Sequence, residues 1–324
     1  MCPGAGCRFP CERMGCMEYV IGIDGGGTKS AISIADLRGN IVLTEYGGPT
    51  NIRAWDEYMV FNELRSLILS AVEHAGLNLE DCRAICIGSA GAGRQEEQRI
   101  LREYVKAIGI KGNIVITNDA EIVIAEATGG REGVVVIAGT GSIAYGIGKN
   151  GERVRVGGWG HMVGDEGSAY YIGLKAIKAA LRCYDGRDPY TELLPMLMEE
   201  IGIKSPEEFV GFVYGKDTEK KEIAAVAKVV DRAYKKGDSR AKEILMDAAQ
   251  QLFLLARTAI RGIKAEHDPI TVVVSGGVLI NNLFIYENFV KLLNLEYPKM
   301  NVKKARSDAS KGAVMVALKS LKLI

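Results

Sequence analysis

The sequence has no apolar run of the kind that forms a membrane-spanning helix. Two uncharged stretches, residues 133–148 and 269–286, are shorter than the roughly 20 residues that a spanning helix needs, and both contain glycine-rich turns. The N-terminal residues also lack the apolar segment of a secretory signal. We therefore expect a cytoplasmic protein with no membrane partner.

The chain has little excess of charge of either sign. Its 41 lysines and arginines oppose 40 aspartates and glutamates, which gives a formal net charge of +1. Surfaces that bind nucleic acid carry a marked basic excess, so we expect no nucleic-acid partner. With 48% hydrophobic and 25% charged residues, the 324-residue chain is typical of globular proteins and long enough for two domains.

Cysteine is sparse over most of the chain, where only Cys82, Cys86 and Cys183 occur. The other four lie near the N-terminus: Cys2, Cys7, Cys11 and Cys16. Structural metal sites prefer two closely spaced pairs, and this segment has only one, so zinc or an iron–sulfur cluster is disfavoured. We interpret residues 1–17 as a flexible extension; alternatively, Met14 or Met17 is the true first residue.

Strands and helices alternate along the chain, which predicts a layered α/β fold. One order of elements occurs twice: an apolar strand, a glycine-rich turn with a hydroxyl residue, a strand, a glycine turn and a further strand. It spans residues 19–45 and again residues 133–156. We therefore predict a structural duplication with two related sheets that face one another across a cleft.

Three apolar strands end in glycine turns, at residues 24–29, 139–142 and 275–277. Such turns let backbone N–H groups approach an anionic ligand without obstruction from a Cβ atom. The first turn is not a P-loop, because Thr28 stands where lysine is required. Nor is it a dinucleotide fingerprint, because Ser30 replaces the third glycine. Together, the three turns predict phosphate binding.

Four motifs resemble those of the actin-like ATPase and sugar-kinase superfamily. They are Asp-Gly-Gly-Gly-Thr-Lys (24–29), Gly-Thr-Gly-Ser (139–142), Gly-Gly-Trp-Gly-His-Met-Val-Gly-Asp-Glu-Gly-Ser (157–168) and Ser-Gly-Gly-Val (275–278). Within the superfamily, the sequence is similar to the group that contains N-acetylglucosamine kinase and the BadF/BadG/BcrA/BcrD-type ATPases. The resemblance extends from about Tyr19 to the C-terminus.

The resemblance implies two actin-like, ribonuclease H-like α/β domains that face a central cleft and close over the substrates to exclude water. The expected small N-terminal domain comprises residues 18–118 and 308–324. The expected larger C-terminal domain comprises residues 119–307 and carries helical insertions. The implied cofactors are ATP and Mg²⁺, and the relationship suggests a homodimer.

The resemblance also implies roles for individual residues. The ATP phosphates would be bound by Gly25, Gly26, Gly27, Thr28, Lys29, Gly139, Thr140, Gly141 and Ser142, and the adenosine by Gly276, Gly277 and Val278. Asp24, at a strand end, would hold Mg²⁺ through water. Asp119 matches the catalytic aspartate that acts as general base, although from its position alone it could equally be a helix N-cap.

The acceptor is expected to be a hexose or amino sugar, phosphorylated at its 6-hydroxyl. The expected sugar-binding residues are Asn51, Ser89, Gly91, Asn118, Trp159 and Asp165. Trp159 could instead be a core residue. Acetamido-sugar kinases carry a polar residue, usually asparagine, where this chain has Ile143. The choice among N-acetylglucosamine, glucosamine and glucose is therefore left open.

Two other functions fit the superfamily less well. ATPases that activate acyl-CoA reductases or dehydratases resemble dimers bridged by an iron–sulfur cluster on large-domain cysteines, and no cysteine lies between Cys86 and Cys183. A sugar-sensing repressor needs a DNA-binding helix-turn-helix module, for which fewer than twenty residues precede the first predicted strand. The sequence therefore favours a sugar kinase.

Overall fold

The computed structural model describes residues 17–89, 91–216, 218–306 and 308–324. The predicted N-terminal extension, with its four cysteines, lies outside these ranges except for Met17. The chain forms two compact units: unit 1 is Met1–Gly130 with Arg306–Ile324, and unit 2 is Arg131–Ala305. Among the described residues, no helix combines the length and apolarity needed to span a membrane.

Unit 1 is built on a five-stranded sheet with the strand order β3-β2-β1-β4-β5. Its strands are β1 (Tyr19–Gly25), β2 (Ser30–Asp36), β3 (Ile41–Gly47), β4 (Cys82–Ser89) and β5 (Asn113–Thr117). Its first three helices are α1 (Glu57–His74), α2 (Gln95–Ile108) and α3 (Asp119–Thr128). The strands β1, β2 and β3 pair in antiparallel fashion, whereas β4 runs parallel to both β1 and β5.

Unit 2 contains a second five-stranded sheet, with the order β10-β9-β6-β7-β8. Its strands are β6 (Gly133–Ala138), β7 (Ser142–Ile147), β8 (Arg153–Gly157), β9 (Thr271–Ser275) and β10 (Asn301–Lys304). Its helices are α4 (Ala169–Tyr184), α5 (Leu193–Ile201), α6 (Glu208–Tyr214), α7 (Lys220–Ala225), α8 (Ala227–Lys235), α9 (Ser239–Gly262), α10 (Gly277–Asn281) and α11 (Leu283–Glu296). Helix α9 packs on β6, β7 and β8 through buried small and aliphatic side chains.

The two sheets have the same topology. Strands β6, β7 and β8 pair in antiparallel fashion, and β9 runs parallel to β6 and β10, as β4 does to β1 and β5. The predicted duplication and α/β class are therefore confirmed. The glycine turns at residues 24–29 and 139–142 each join the central strand of a sheet to its antiparallel neighbour.

The last helix, α12 (Ser310–Ser320), returns to unit 1 and covers one face of its sheet. Val20, Ala84 and Cys86 are fully buried in the cluster that α12 completes. The same helix crosses α3 so closely that a Cβ atom on Gly312 would lie 1.8 Å from the carbonyl oxygen of Ile122. Unit 1 is thus built from both ends of the described chain.

The division between the units falls later in the chain than the sequence analysis placed it. The expected first boundary was after residue 118, whereas unit 1 extends to Gly130. Helix α3 belongs to unit 1 because it packs against α12. Asp119 is therefore part of unit 1 rather than of the larger unit.

Candidate functional site

The first glycine turn, between β1 and β2, presents backbone N–H groups at its tip. It is closed by a hydrogen bond from the N–H of Gly26 to the carbonyl oxygen of Lys29 (3.1 Å), and the N–H of Thr50 donates to the carbonyl oxygen of Gly26 (3.1 Å). The N–H groups of Gly27 and Thr28 make no hydrogen bond to any described residue. This arrangement suits an anion, because backbone N–H groups without partners in a glycine turn can donate to it.

Trp55 supports this turn, and the sequence analysis missed it. Its indole Nε1–H donates to the carbonyl oxygen of Gly27 (2.8 Å), which fixes the orientation of the peptide group. The side chain remains 41% exposed. The available signal was a tryptophan shortly after the predicted sugar-binding loop that contains Asn51.

The loops that follow β3 and β4 pack against the end of β1. A Cβ atom on Gly25 would lie 2.7 Å from Oγ1 of Thr50 and 3.3 Å from Cβ of Ser89. A Cβ atom on Gly91 would lie 2.3 Å from Oδ1 of Asn51. Four of the predicted unit 1 residues are thus brought together around the first glycine turn, and glycine is required at two of these positions by close packing.

Ser89 and Asn51 differ in what they can offer a ligand. Ser89 is fully buried, and its Oγ accepts the N–H of Gly91 (3.3 Å), so its side chain supports the loop rather than facing solvent. Asn51 is partly exposed, and its Oδ1 accepts the N–H of Arg53 (3.0 Å). The Nδ2 group of Asn51 lies 3.9 Å from the position of a Cβ atom on Gly27.

Asn118, and not Asp119, caps helix α3. Its Oδ1 accepts the N–H of Glu121 (2.8 Å), and its Nδ2 group can donate to a ligand. Asp119 is the first helical residue, and its Oδ1 accepts the N–H of Ala120 (3.0 Å). The N-cap interpretation of Asp119 is therefore wrong.

The carboxylates of Asp119 and Asp308 influence the pKa of Asp24 in unit 1. Burial raises the pKa of Asp24 to about 6, and the negative charges of Asp119 and Asp308 add to this shift, whereas Lys29 opposes it. Burial also raises the pKa of Asp119, against the hydrogen bond from Ala120. Asp308 was missed, although the duplication offered a signal: it follows β10 just before α12, as Asp119 follows β5 at the start of α3.

The unit 1 carboxylates suit a hydrated divalent cation better than a caged one. In the described ranges, no group of three or more histidine, cysteine, aspartate or glutamate side chains could hold a metal ion. Mg²⁺ commonly keeps several of its waters and is bound through one or two carboxylates together with substrate phosphates. The partly exposed Asp24, next to the first glycine turn, fits this mode of binding.

The second glycine turn, between β6 and β7, is backed by the segment that leads into α4. The N–H of Gly139 donates to the carbonyl oxygen of Gly141 (2.9 Å), and the N–H of Ala169 donates to that of Gly139 (2.8 Å). The Oγ of Ser142 donates to the carbonyl oxygen of Glu166 (2.7 Å), so this hydroxyl faces inward. Thr140 is exposed at the tip of the turn.

Asp165 lies behind this turn, with its carboxylate engaged inside unit 2. Only 4% of the residue is exposed. Its Oδ1 accepts the N–H of Ser142 (3.3 Å), and its Oδ2 accepts a hydrogen bond from Nζ of Lys220 (2.6 Å). A Cβ atom on Gly141 would lie 2.8 Å from Oδ2. The sugar contact through Asp165 stays a prediction.

Trp159 is 69% exposed, so the structure excludes a core position for it. The guanidinium of Arg155 stacks over its indole ring, 4.9 Å from the ring centroid. Ile143 is partly buried below the same loop, since a Cβ atom on Gly158 would lie 2.8 Å from its Cδ1. Ile143 thus shapes the loop that carries Trp159.

The third glycine turn joins β9 to α10. Gly276 has φ = +85°, and a Cβ atom on it would lie 2.4 Å from the carbonyl group of Ala138 at the end of β6. Gly277 is exposed, whereas Val278 is 8% exposed. A ligand at this turn would therefore meet backbone atoms of the two glycines rather than the valine side chain.

Two sheets of identical topology, with glycine turns at the ends of their strands, define the class of protein: an actin-like ATPase fold, as found in sugar kinases. A crystal structure of a candidate N-acetylglucosamine kinase from Chromobacterium violaceum matches with a TM-score of 0.67 at 21% identity, and covers 93% of this chain and 99% of its own. The ROK hexokinase of Thermus thermophilus matches with a TM-score of 0.59 at 17% identity, covering 94% and 99%. The predicted fold is thus confirmed.

Within this class, the chain belongs to the BadF/BadG/BcrA/BcrD ATPase family, whose family model matches residues 21–317. The N-acetylmuramic acid/N-acetylglucosamine kinase of Clostridium acetobutylicum is 42% identical over 93% of this chain and 98% of its own. The N-acetyl-D-glucosamine kinase of Dictyostelium discoideum is 28% identical over 94% and 99%. The predicted family is confirmed.

Proposed function

We propose that this protein is an ATP- and Mg²⁺-dependent kinase that phosphorylates an amino sugar, with N-acetylglucosamine and N-acetylmuramic acid as first candidates and the 6-hydroxyl as acceptor. The observation that carries the proposal is the 42% identity, over nearly the whole of both chains, to a kinase named for these two sugars. The partly buried Asp119, whose pKa is raised by burial and which is not used as a helix cap, supports it.

In unit 1, Asp119 would accept the proton of the sugar hydroxyl while the hydroxyl oxygen attacks the γ-phosphorus of ATP and ADP leaves. Burial helps here because it raises the pKa of the carboxylate towards neutrality and so strengthens it as a base. The N–H groups of Gly27 and Thr28 would bind phosphate oxygens, with Lys29 adding positive charge. Mg²⁺, held through water by Asp24, would supply neutralisation of the phosphate charge.

In unit 2, the residues at 139–142 would bind phosphate oxygens through the backbone and the Thr140 hydroxyl. The backbone at Gly276 and Gly277 would pack against the adenosine. The exposed face of Trp159 would pack against the apolar face of the sugar ring, as aromatic side chains in sugar sites do. Asn51 and Asn118 of unit 1 would each donate an Nδ2–H bond to sugar oxygens.

Ile143 bears on the choice of acceptor. Its side chain offers no hydrogen bond to an acetamido group, but it packs against the loop that contains Gly158. The relatives named for N-acetylated sugars favour acceptance of this group. We therefore place N-acetylated sugars ahead of glucosamine and glucose, and assign acetamido recognition to the loop rather than to position 143.

The test is a phosphorylation assay with purified protein, ATP and Mg²⁺, and a panel of N-acetylglucosamine, N-acetylmuramic acid, glucosamine and glucose. We expect stoichiometric formation of ADP and a sugar 6-phosphate, identified by ³¹P NMR, with kcat/KM for an N-acetylated sugar at least about tenfold above that for glucose. ATP hydrolysis that is independent of any sugar would contradict the proposal and favour an ATPase that activates another enzyme.

A further inference from the structure

Lys220 forms a nearly buried ion pair with Asp165 behind the second glycine turn. The Nζ–Oδ2 distance is 2.6 Å, and the exposed fractions of the two side chains are 29% and 5%. Asp165 also has a left-handed backbone conformation, with φ = +62°. In the described ranges, Lys220 is the only residue that forms an ion pair with Asp165.

The packing of α7 on α4 places Lys220 at this position. A Cβ atom on Gly173 of α4 would lie 2.1 Å from the carbonyl oxygen of Ile223, so the two helix backbones are in direct contact. Helix α7 begins with a capping box, in which Glu219 and Glu222 satisfy the first backbone N–H groups. Lys220 is the first residue of this helix, so its Cα position is fixed by both interactions.

We propose that Lys220 is a positioning residue that holds the second glycine turn in its phosphate-binding conformation by acting through Asp165. A buried carboxylate without a counter-ion either takes up a proton or turns towards water. Lys220 supplies this counter-ion, and the Oδ1 of Asp165 accepts the N–H of Ser142 while its Oδ2 packs against Gly141. This inference rests on the proposed function of the turn in nucleotide binding.

The inference predicts that loss of Lys220 impairs nucleotide binding more than sugar binding. For Lys220→Met we expect the Kd for a non-hydrolysable ATP analogue and the KM for ATP to rise by at least about tenfold, which is 1.4 kcal/mol of binding free energy. We expect the KM for the sugar to change by less than about twofold. Lys220→Arg keeps the charge and should restore most of the nucleotide affinity.

Lys221 provides the matched control. It is 70% exposed, lies on the same helix and, among the residues that the structure describes, pairs with the exposed Glu219 and with Glu222. We expect Lys221→Met to leave the nucleotide Kd, both KM values and the melting temperature unchanged, since exposed ion pairs contribute little.

A double-mutant cycle tests whether Lys220 acts through Asp165. In an Asp165→Asn background the buried charge is absent, so Lys220→Met should weaken nucleotide binding by less than about twofold further. Neither Asp165→Asn nor the double variant contains an unpaired Asp165 charge. Their comparison therefore still tests the inference if Lys220→Met alone folds poorly.

Three outcomes would overturn the inference. The first is equal nucleotide affinity of Lys220→Met and Lys221→Met, and the second is that the effects of Lys220→Met and Asp165→Asn on nucleotide affinity simply add. The third is that Lys220→Met raises only the KM for the sugar. The last outcome would assign Asp165 to the acceptor. If the wild-type protein phosphorylates no sugar, the proposed function fails, whereas the affinities for the ATP analogue still test Lys220.

Discussion

At the residue scale, the chemistry of unit 1 depends on Asp119, a partly buried carboxylate whose Oδ1 accepts the N–H of Ala120. We predict that Asp119→Asn lowers kcat by at least about 10², because an amide cannot accept the proton of the hydroxyl. Sugar and ATP affinities should stay within several-fold, since Asn118 still caps α3. Steady-state kinetics and calorimetry measure the two effects. Turnover near the wild-type rate would remove Asp119 from the role of base.

The raised pKa of Asp119 also predicts a pH dependence. The base must be ionised, so kcat/KM should fall as the pH decreases through its pKa. Because burial raises that pKa, the fall should occur above the range around pH 4 that is ordinary for aspartate. A pH–rate profile from pH 4.5 to 8 measures it, and activity that is constant down to pH 4.5 would contradict this prediction.

The pKa of Asp24 predicts a gain in stability on loss of its charge. Since the pKa rises from 3.8 to about 6 on folding, the folded protein binds more protons than the unfolded chain between these values. Stability therefore falls as pH rises through this window. We expect Asp24→Asn to increase the free energy of unfolding by about 2 kcal/mol at pH 8 and by little below pH 4.

Denaturant unfolding at the two pH values measures this gain. Mg²⁺-dependent activity of Asp24→Asn should be lost under conditions where the variant is more stable than the wild type, as expected for a residue retained for function at a cost in stability. The prediction would be contradicted if Asp24→Asn had a lower free energy of unfolding than the wild type at pH 8. That result would show that the Asp24 carboxylate stabilises the fold.

At the element scale, unit 1 depends on the close crossing of α3 and α12. We predict that Gly312→Ala destabilises the protein by about 3 kcal/mol or more, because the added methyl group would overlap the backbone at Ile122 and the helices must separate. Gly211→Ala is the control: this residue lies in α6, and nothing is within 4 Å of its Cβ position. It should be neutral or slightly stabilising in denaturant titrations.

Element boundaries show where local pattern is insufficient. Residues 219–235 and residues 280–295 each have the pattern of a single helix, but both segments are divided, at Val226 and at Asn282. Asn282 caps the second helix of its pair by accepting the N–H of Ile285 (2.9 Å). Strand β10 was missed because it has only four residues and ends in two lysines, and it is held by pairing with β9.

At the scale of the whole molecule, the hydrophobic core of unit 1 needs the C-terminal helix α12. We predict that deletion of residues 309–324 exposes Val20, Ala84 and Cys86 and unfolds unit 1, because α12 supplies one wall of that core. Hydrogen exchange should then show loss of protection in β1 and β4. Deletion of the exposed residues 322–324 alone is the control and should preserve protection. Protection of β1 without α12 would contradict the prediction.

The duplication relates the two units by topology, but their residues have diverged. After β5 the chain carries Asn118 and Asp119, and after the equivalent β10 it carries Asp308, which also belongs to unit 1. Unit 2 instead stabilises its glycine turn with the Asp165–Lys220 pair. The homodimer implied by the family resemblance stays a prediction.

The sequence by itself determined the features that depend on local chemistry. Glycine turns after apolar strands, the repeated order of elements and the motif at residues 157–168 can be read without coordinates, because each reflects the backbone conformation or ligand chemistry of a short segment. These features were enough to predict the fold and the family.

Tertiary structure alone decided how individual polar side chains are used. Asn118 rather than Asp119 caps α3, and Asp165 is held by Lys220, a residue 55 positions away in the chain. Trp159 is exposed rather than packed in the core. The physical reason is that burial and hydrogen-bond partners depend on which distant segments pack together, and the residue types around each position do not specify that packing.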